Sequence, residues 1–107
     1  MTTSAIRQFK FDIGVIGCSA IDEDGDILDF DVSEVGVSRA ILNQSRRTML
    51  IADHSKFKRA APARIASLED IDVFFTDLPV DARLKANCEK WQTAIMTPPA
   101  QAIPEKA

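Results

Sequence analysis

A short polar segment, Asp53-His54-Ser55-Lys56, holds the side chains of this sequence that are best suited to chemistry. It directly follows the apolar run 48–52, which has the length and composition of a buried strand. In open α/β sheets, ligands bind beyond the carboxyl ends of the strands. A lysine there supplies a point charge for phosphate, and a hydroxyl supplies a directional hydrogen bond. The segment predicts a site for a small anionic ligand such as a phosphate ester; a surface lysine paired with Asp53 is the alternative interpretation.

Glu34 is the second candidate, because it lies at the predicted start of a helix. Asp31 resembles a helix N-cap, and Glu34 follows three residues later, as in a capping box. Two interpretations of Glu34 are open. Its carboxylate caps the backbone amide at the helix start, or it points at a hydroxyl of a ligand.

The acidic segment 22–31 does not have the spacing of a calcium loop. An EF-hand loop that began at Asp22 would need Gly at its sixth position and Glu at its twelfth, where this sequence has Ile27 and Ser33. A solvated Asp-Gly turn is the simpler prediction, with Asp22 the member closest to the end of a strand. We predict neither a metal nor an organic cofactor, and no glycine-rich nucleotide-binding fingerprint is present.

Composition and charge narrow the function further. The chain has 107 residues, enough for one domain. Its net charge of -3 and pI near 5.0 argue against duplex DNA or an anionic membrane as a direct partner. Two distant cysteines, Cys18 and Cys88, lie in apolar contexts, and no signal peptide precedes them. We expect reduced, buried thiols in a cytoplasmic protein.

Predicted strands alternate with predicted helices along the chain. The strands are residues 11–17, 48–52, 72–77 and 93–96, the helices are 31–45 and 79–91, and short extended pieces are 27–30 and 63–66. Continuous apolar strands separated by helices predict an α/β, Rossmann-like fold with a mostly parallel sheet and flanking helices. We expect one domain over 1–96. The Pro-, Ala- and Gln-rich residues 97–107 predict a disordered tail.

Several segments resemble the effector-binding domain of DeoR-family transcriptional repressors, in order and with consistent spacing over residues 5–96. They are Phe9–Gly17, Ile21–Gly25, Leu28–Asp31, Glu34–Val35, Ser38–Ile41, Ala52–Phe57, Asp70–Asp72 and Thr76–Asp77. Within the family, the stretch 27–47 is most similar to the subgroup of glycerol-3-phosphate regulon repressors.

The resemblance implies a bacterial cytoplasmic sensor of a phosphorylated sugar or polyol such as glycerol 3-phosphate. It implies contact with DNA only through a winged helix-turn-helix that would precede residue 1. The family's glycine-rich phosphate loop would also lie upstream, so we expect this chain to be the C-terminal portion of a sensor domain. We further expect a homo-oligomer in the full-length protein and no membrane partner.

The family's sensor fold is similar to that of ribose-5-phosphate isomerase, and this similarity implies roles for individual residues. Glu34 matches the isomerase glutamate at a helix start, Lys56 matches its lysine, and Asp22 matches an acidic residue of the loop after the preceding strand. With Asp53 and Ser55, these residues form the predicted effector-binding set.

The same comparison bears on catalysis. Ser19 and Ala20 stand where the isomerases carry adjacent Asp and Glu residues. Proton transfer between neighbouring carbons needs a positioned acid and base, and this set is incomplete. We therefore predict a non-catalytic sensor with no catalytic residues; the alternative is a fragment of a sugar-phosphate isomerase.

Overall fold

The computed structural model describes residues 2–98. Three helices and seven strands follow one another along the chain. In order they are α1 (Thr3–Ile6), β1 (Phe11–Ile16), β2 (Ala20–Ile21), β3 (Asp26–Asp29), α2 (Val32–Asn43), β4 (Ser45–Ile51), β5 (Ala63–Ser67), β6 (Val73–Phe75), α3 (Ala82–Trp91) and β7 (Ala94–Met96). Two short 3₁₀ turns, His54–Lys58 and Leu68–Asp70, follow β4 and β5.

Four strands form a fully parallel sheet in the order β1-β4-β6-β7. The predicted α/β class and parallel sheet are confirmed. Ile16 pairs with Leu50 and Leu50 pairs with Phe74, so these side chains lie on one face, where they are buried in the core with residues of α3 and the smaller sheet. The opposite face is largely uncovered, because Ile13 is 52% and Ile51 57% exposed.

A second, antiparallel sheet joins the short strands in the order β2-β3-β5. The sequence indicated β3 and β5 only as isolated extended pieces. The β2–β3 turn depends on Gly25, whose φ of 84° lies in the left-handed region that favours glycine. Ile21, Ile27 and Ile65 of this sheet are buried and join the core of the parallel sheet.

Both long helices have different ends from those predicted. Helix α2 ends at Asn43, and the two arginines that follow Ser45 belong to β4 instead of closing the helix. Helix α3 begins at Ala82 and not at Pro79, because the Asp81 side chain is the N-cap and accepts a hydrogen bond from the Leu84 amide at 2.8 Å.

The predicted tail 97–107 lies outside the described residues, apart from Thr97 and Pro98. Within residues 2–98, no helix has the length and apolar character needed to cross a membrane.

Candidate functional site

The loop Gly17–Ser19 lies where the carboxyl ends of β1 and β4 meet. These strands are neighbours, with Ile16 opposite Leu50, so the loop after β1 and the 3₁₀ turn His54–Lys58 after β4 lie at the same edge of the sheet. The turn also packs against β2, the strand that follows the loop. The polar segment therefore lies at the carboxyl end of a strand of the parallel sheet, as predicted.

Glu34 lines a cleft beside this loop, which we call the Glu34 cleft. Its volume is about 560 Å³. The lining residues are Gly17, Cys18, Ser19, Asp29, Glu34, Val37 and Ser38. The cleft is therefore bounded by the loop after β1, the end of β3 and the first half of α2.

Asp29 organises one wall of the Glu34 cleft. The residue is buried, with only 9% of its surface exposed. One oxygen, Oδ1, accepts hydrogen bonds from Ser19 Oγ at 3.0 Å, the Phe30 amide at 2.7 Å and the Asp31 amide at 3.4 Å. A single carboxylate thus ties the loop after β1 to the start of α2.

These bonds test the capping interpretation of Glu34. Asp31 is the N-cap of α2, as predicted, and it accepts from the Ser33 amide at 2.8 Å. Its own amide donates to Asp29 and not to Glu34, so the predicted capping box does not form. Within residues 2–98 the exposed Glu34 carboxylate has no hydrogen bond or ion pair, and it is available to a ligand.

Cys18 connects the Glu34 cleft to Lys56. Burial raises the pKa of the Cys18 thiol to about 11, and the positive charge of Lys56 opposes this rise. The negative charges of Asp29 and Asp53 raise the Cys18 pKa further. Lys56 does not line the cleft itself, but its positive charge acts on Cys18, which does. The sequence predicted Cys18 only as a buried structural thiol; it is half-buried in the wall of the cleft.

Asp53 and Ser55 are engaged with each other. Asp53 is the N-cap of the 3₁₀ turn and accepts hydrogen bonds from both the amide (2.8 Å) and the hydroxyl of Ser55. These two bonds lower the pKa of the Asp53 carboxyl. Among the described residues Lys56 forms no ion pair with Asp53, so its ammonium is open to an anion.

Asp22 lies apart from the Glu34 cleft. Its Oδ1 accepts from the amides of Asp24 at 3.0 Å and Asp26 at 2.9 Å, which fixes the β2–β3 turn. Asp22 lines a separate cleft of about 360 Å³ together with His54 and Lys58. The structure therefore brings Glu34 and Lys56 to one loop but does not bring Asp22 into the same cleft.

His54 ties the polar segment to the end of β6. Its amide donates to Asp77 Oδ1 at 2.7 Å, and its Nδ1 lies 2.8 Å from Asp77 Oδ2. The hydrogen bond from the His54 side chain is the main cause of the lowered pKa of Asp77. His54 is therefore a structural partner of Asp77 at the sheet edge.

The arrangement around the loop is suited to binding. Two carboxylates, Asp29 and Glu34, line the cleft, and the positive charge of Lys56 acts on Cys18 in the wall of the cleft. The Ser19 hydroxyl donates a hydrogen bond to Asp29. No general acid–base pair is formed there.

Comparison with known proteins identifies the family. The family described as DeoR C terminal sensor domain matches residues 1–78. Two proteins named glycerol-3-phosphate regulon repressor are similar to the chain: that of Haemophilus influenzae is 52% identical over 79 residues, and that of Escherichia coli is 46% identical over 78. In both cases 73% of this chain and 31% of the relative is covered.

A third relative is similar over a longer part of the chain. The Escherichia coli HTH-type transcriptional repressor CsqR is 32% identical over 95 residues, which cover 89% of this chain and 36% of that protein. The chain thus spans about a third of the length of the curated relatives it matches. The matched domain is a sensor domain and the relatives are transcriptional regulators, which argues against an enzyme. The chain belongs to the DeoR family and contains its C-terminal sensor domain.

Proposed function

We propose that this chain recognises a phosphorylated polyol or sugar and thereby controls a DNA-binding repressor. Glycerol 3-phosphate is the first candidate, because two relatives carry the name of its regulon. The observation that carries the proposal is geometric: the 3₁₀ turn that contains Lys56 lies at the same edge of the sheet as the loop Gly17–Ser19, which lines a cleft together with Glu34. A phosphate ester of a polyol has both the anion and the hydroxyls that these groups can bind.

Some of the proposed effector-binding residues contact the ligand, and the others position the elements that carry those residues. Lys56 binds the phosphate, and Glu34 accepts a hydrogen bond from a hydroxyl. Asp53 and Ser55 hold the turn that presents Lys56, through the hydrogen bonds between them. Asp22 holds the hairpin that contains β2, against which this turn packs.

In this proposal, other parts of the full-length protein bind DNA. A winged helix-turn-helix preceding residue 1 contacts the operator in the cytoplasm, and the full-length protein is a homo-oligomer. The ligand changes DNA binding only if it binds one arrangement of the oligomer more tightly than another. Lys56 and Glu34 supply that difference if the two elements that carry them, the 3₁₀ turn and α2, approach each other around the ligand.

Isothermal calorimetry on the full-length protein tests the assignment. We expect saturable binding of glycerol 3-phosphate, weakened roughly tenfold to a hundredfold in Lys56→Ala, because a hydrogen bond to a charged group contributes about 1.5–3 kcal/mol. Lys58→Ala is the matched control, since Lys58 belongs to the same turn but lines the cleft of Asp22. Wild-type affinity in Lys56→Ala would refute the proposed site. Turnover of ribose 5-phosphate would instead support the isomerase alternative.

A further inference from the structure

We propose that Asp29 is a specificity-determining residue of the effector site and binds a hydroxyl of the ligand's polyol portion through Oδ2. This inference rests on the proposed function and adds the orientation of the ligand. The phosphate lies toward Lys56, and the hydroxyl-bearing carbons lie toward Asp29 and Glu34.

The two oxygens of Asp29 have different surroundings. Oδ1 accepts from the Ser19 hydroxyl and from two backbone amides at the start of α2. Oδ2 accepts no hydrogen bond within residues 2–98. Every fully buried side-chain oxygen or nitrogen in the described part of the chain has a partner, so Oδ2 must reach solvent, and Asp29 lines the Glu34 cleft.

The burial of Asp29 bears on the role of Oδ2, the oxygen that accepts no hydrogen bond within residues 2–98. Asp29 is a buried residue, with 9% of the residue's surface exposed. A buried carboxylate needs hydrogen bonds to offset the loss of water, and three bonds to one oxygen hold it in a fixed orientation. The second oxygen is thereby held at a fixed position in a residue that lines the cleft, as a specificity contact requires.

Charge sets the direction of the ligand. Asp29 and Glu34 are two carboxylates in the wall of the same cleft, and they repel a phosphate dianion. The phosphate is attracted to Lys56, which belongs to the 3₁₀ turn after β4 and is not among the lining residues of the cleft. A carboxylate oxygen accepts but cannot donate, so the chemical group that suits Oδ2 is a hydroxyl.

A purely structural role for Asp29 makes a different prediction. If Asp29 only ties the loop Gly17–Ser19 to α2, its substitution affects all ligands alike. Asp29→Asn separates the two roles, because the amide oxygen can still accept at the position of Oδ1 while an NH₂ group replaces Oδ2. The variant therefore removes the acceptor in the cleft and keeps the anchor.

The experiment compares glycerol 3-phosphate with propyl phosphate, which has the phosphate but lacks the free hydroxyls. Calorimetry is carried out on full-length wild type and Asp29→Asn. We expect Asp29→Asn to bind glycerol 3-phosphate about tenfold to a hundredfold more weakly, the effect of losing a hydrogen bond to a charged group. We expect it to bind propyl phosphate no more weakly than wild type does.

The outcomes separate this inference from the proposed function. Equal weakening for both ligands, or no weakening for either, would overturn the role of Asp29 while leaving the proposed function in place. If wild type binds neither glycerol 3-phosphate nor ribose 5-phosphate, both are refuted. Should Asp29→Asn fail to fold by circular dichroism, Asp29→Ser takes its place, because a single hydroxyl can accept from the loop but cannot replace both oxygens.

Discussion

The Cys18 thiol reports on the charges around the Glu34 cleft before any ligand is added. Burial raises its pKa from 9.0 to about 11. The thiolate population at neutral pH is thus lowered about a hundredfold, since each pKa unit is a factor of ten. A more basic thiolate is also a better nucleophile. With a Brønsted coefficient of about 0.4–0.5, the higher pKa makes each thiolate react roughly sixfold to tenfold faster, which offsets part of this loss. We therefore expect Cys18 to undergo disulfide exchange about tenfold more slowly than an ordinary thiol.

Substitutions around Cys18 should change this rate in opposite directions. Lys56 lowers the Cys18 pKa, so Lys56→Ala should raise the pKa and slow the exchange further. Asp53 raises the Cys18 pKa, so Asp53→Asn should accelerate it. Lys58→Ala is the control, because Lys58 lies in the same turn but lines a different cleft.

The assay uses an uncharged disulfide, 4,4′-dithiodipyridine, so that the reagent itself is not attracted by Lys56. Peptide mapping separates Cys18 from Cys88, which is buried. The Cys18 rate should rise about tenfold per pH unit from about pH 7 to about pH 10 without a plateau. A plateau near or below pH 9 would refute the reasoning. So would a wild-type rate in Lys56→Ala combined with a slower rate in Lys58→Ala.

Three further predictions concern the fold that positions the site. In urea denaturation, Leu50→Ala should lower the free energy of unfolding by about 2–5 kcal/mol and Ile51→Ala by less than about 1 kcal/mol. The reason is that Leu50 is fully buried and Ile51 is 57% exposed. Equal losses in the two variants would contradict this packing. Gly14→Ala should destabilise by about 1–3 kcal/mol, because its Cβ would overlap side chains at the end of α2 and the start of β4, while Gly17→Ala, with its nearest neighbour 3.9 Å away, should be nearly neutral. Folding lowers the pKa of Asp77, so its carboxylate stabilises the folded state above the unfolded pKa, and this stability is lost as pH falls through the folded pKa. The Asp77→Asn variant should therefore lose less stability than wild type between about pH 5 and about pH 2 in the same assay. An equal loss in both proteins would contradict the pairing of Asp77 with His54.

The parts of the fold that could be predicted depend on local signals. The apolar runs of β1 and β4 and the N-cap at Asp31 are local in sequence, and each is found in the structure. The antiparallel sheet was missed because β2 has two residues and β3 has four. Strands that short have too little alternation to detect, and their pairing depends on contacts that are distant in sequence.

The same distinction applies to the site. Glu34 and Lys56 could be proposed from the sequence because each lies next to a recognisable element, a helix start and a strand end. Asp29 and Cys18 were missed as site residues, because their place in the cleft depends on the hairpin pairing of β2 with β3. An aspartate two residues before an N-cap gives no local sign that it will bind the helix-start amides.

Titration of ¹⁵N-labelled protein with glycerol 3-phosphate, followed through amide chemical shifts, tests whether Lys56 and Glu34 serve one ligand. If Lys56 and Glu34 bind one ligand, we expect the amides of Cys18, Glu34 and Lys56 to shift together in one saturable transition with a single Kd. Amides at the C-terminal end of α3 should stay unchanged. Shifts confined to one of the three residues, or transitions with different Kd values, would contradict a common site.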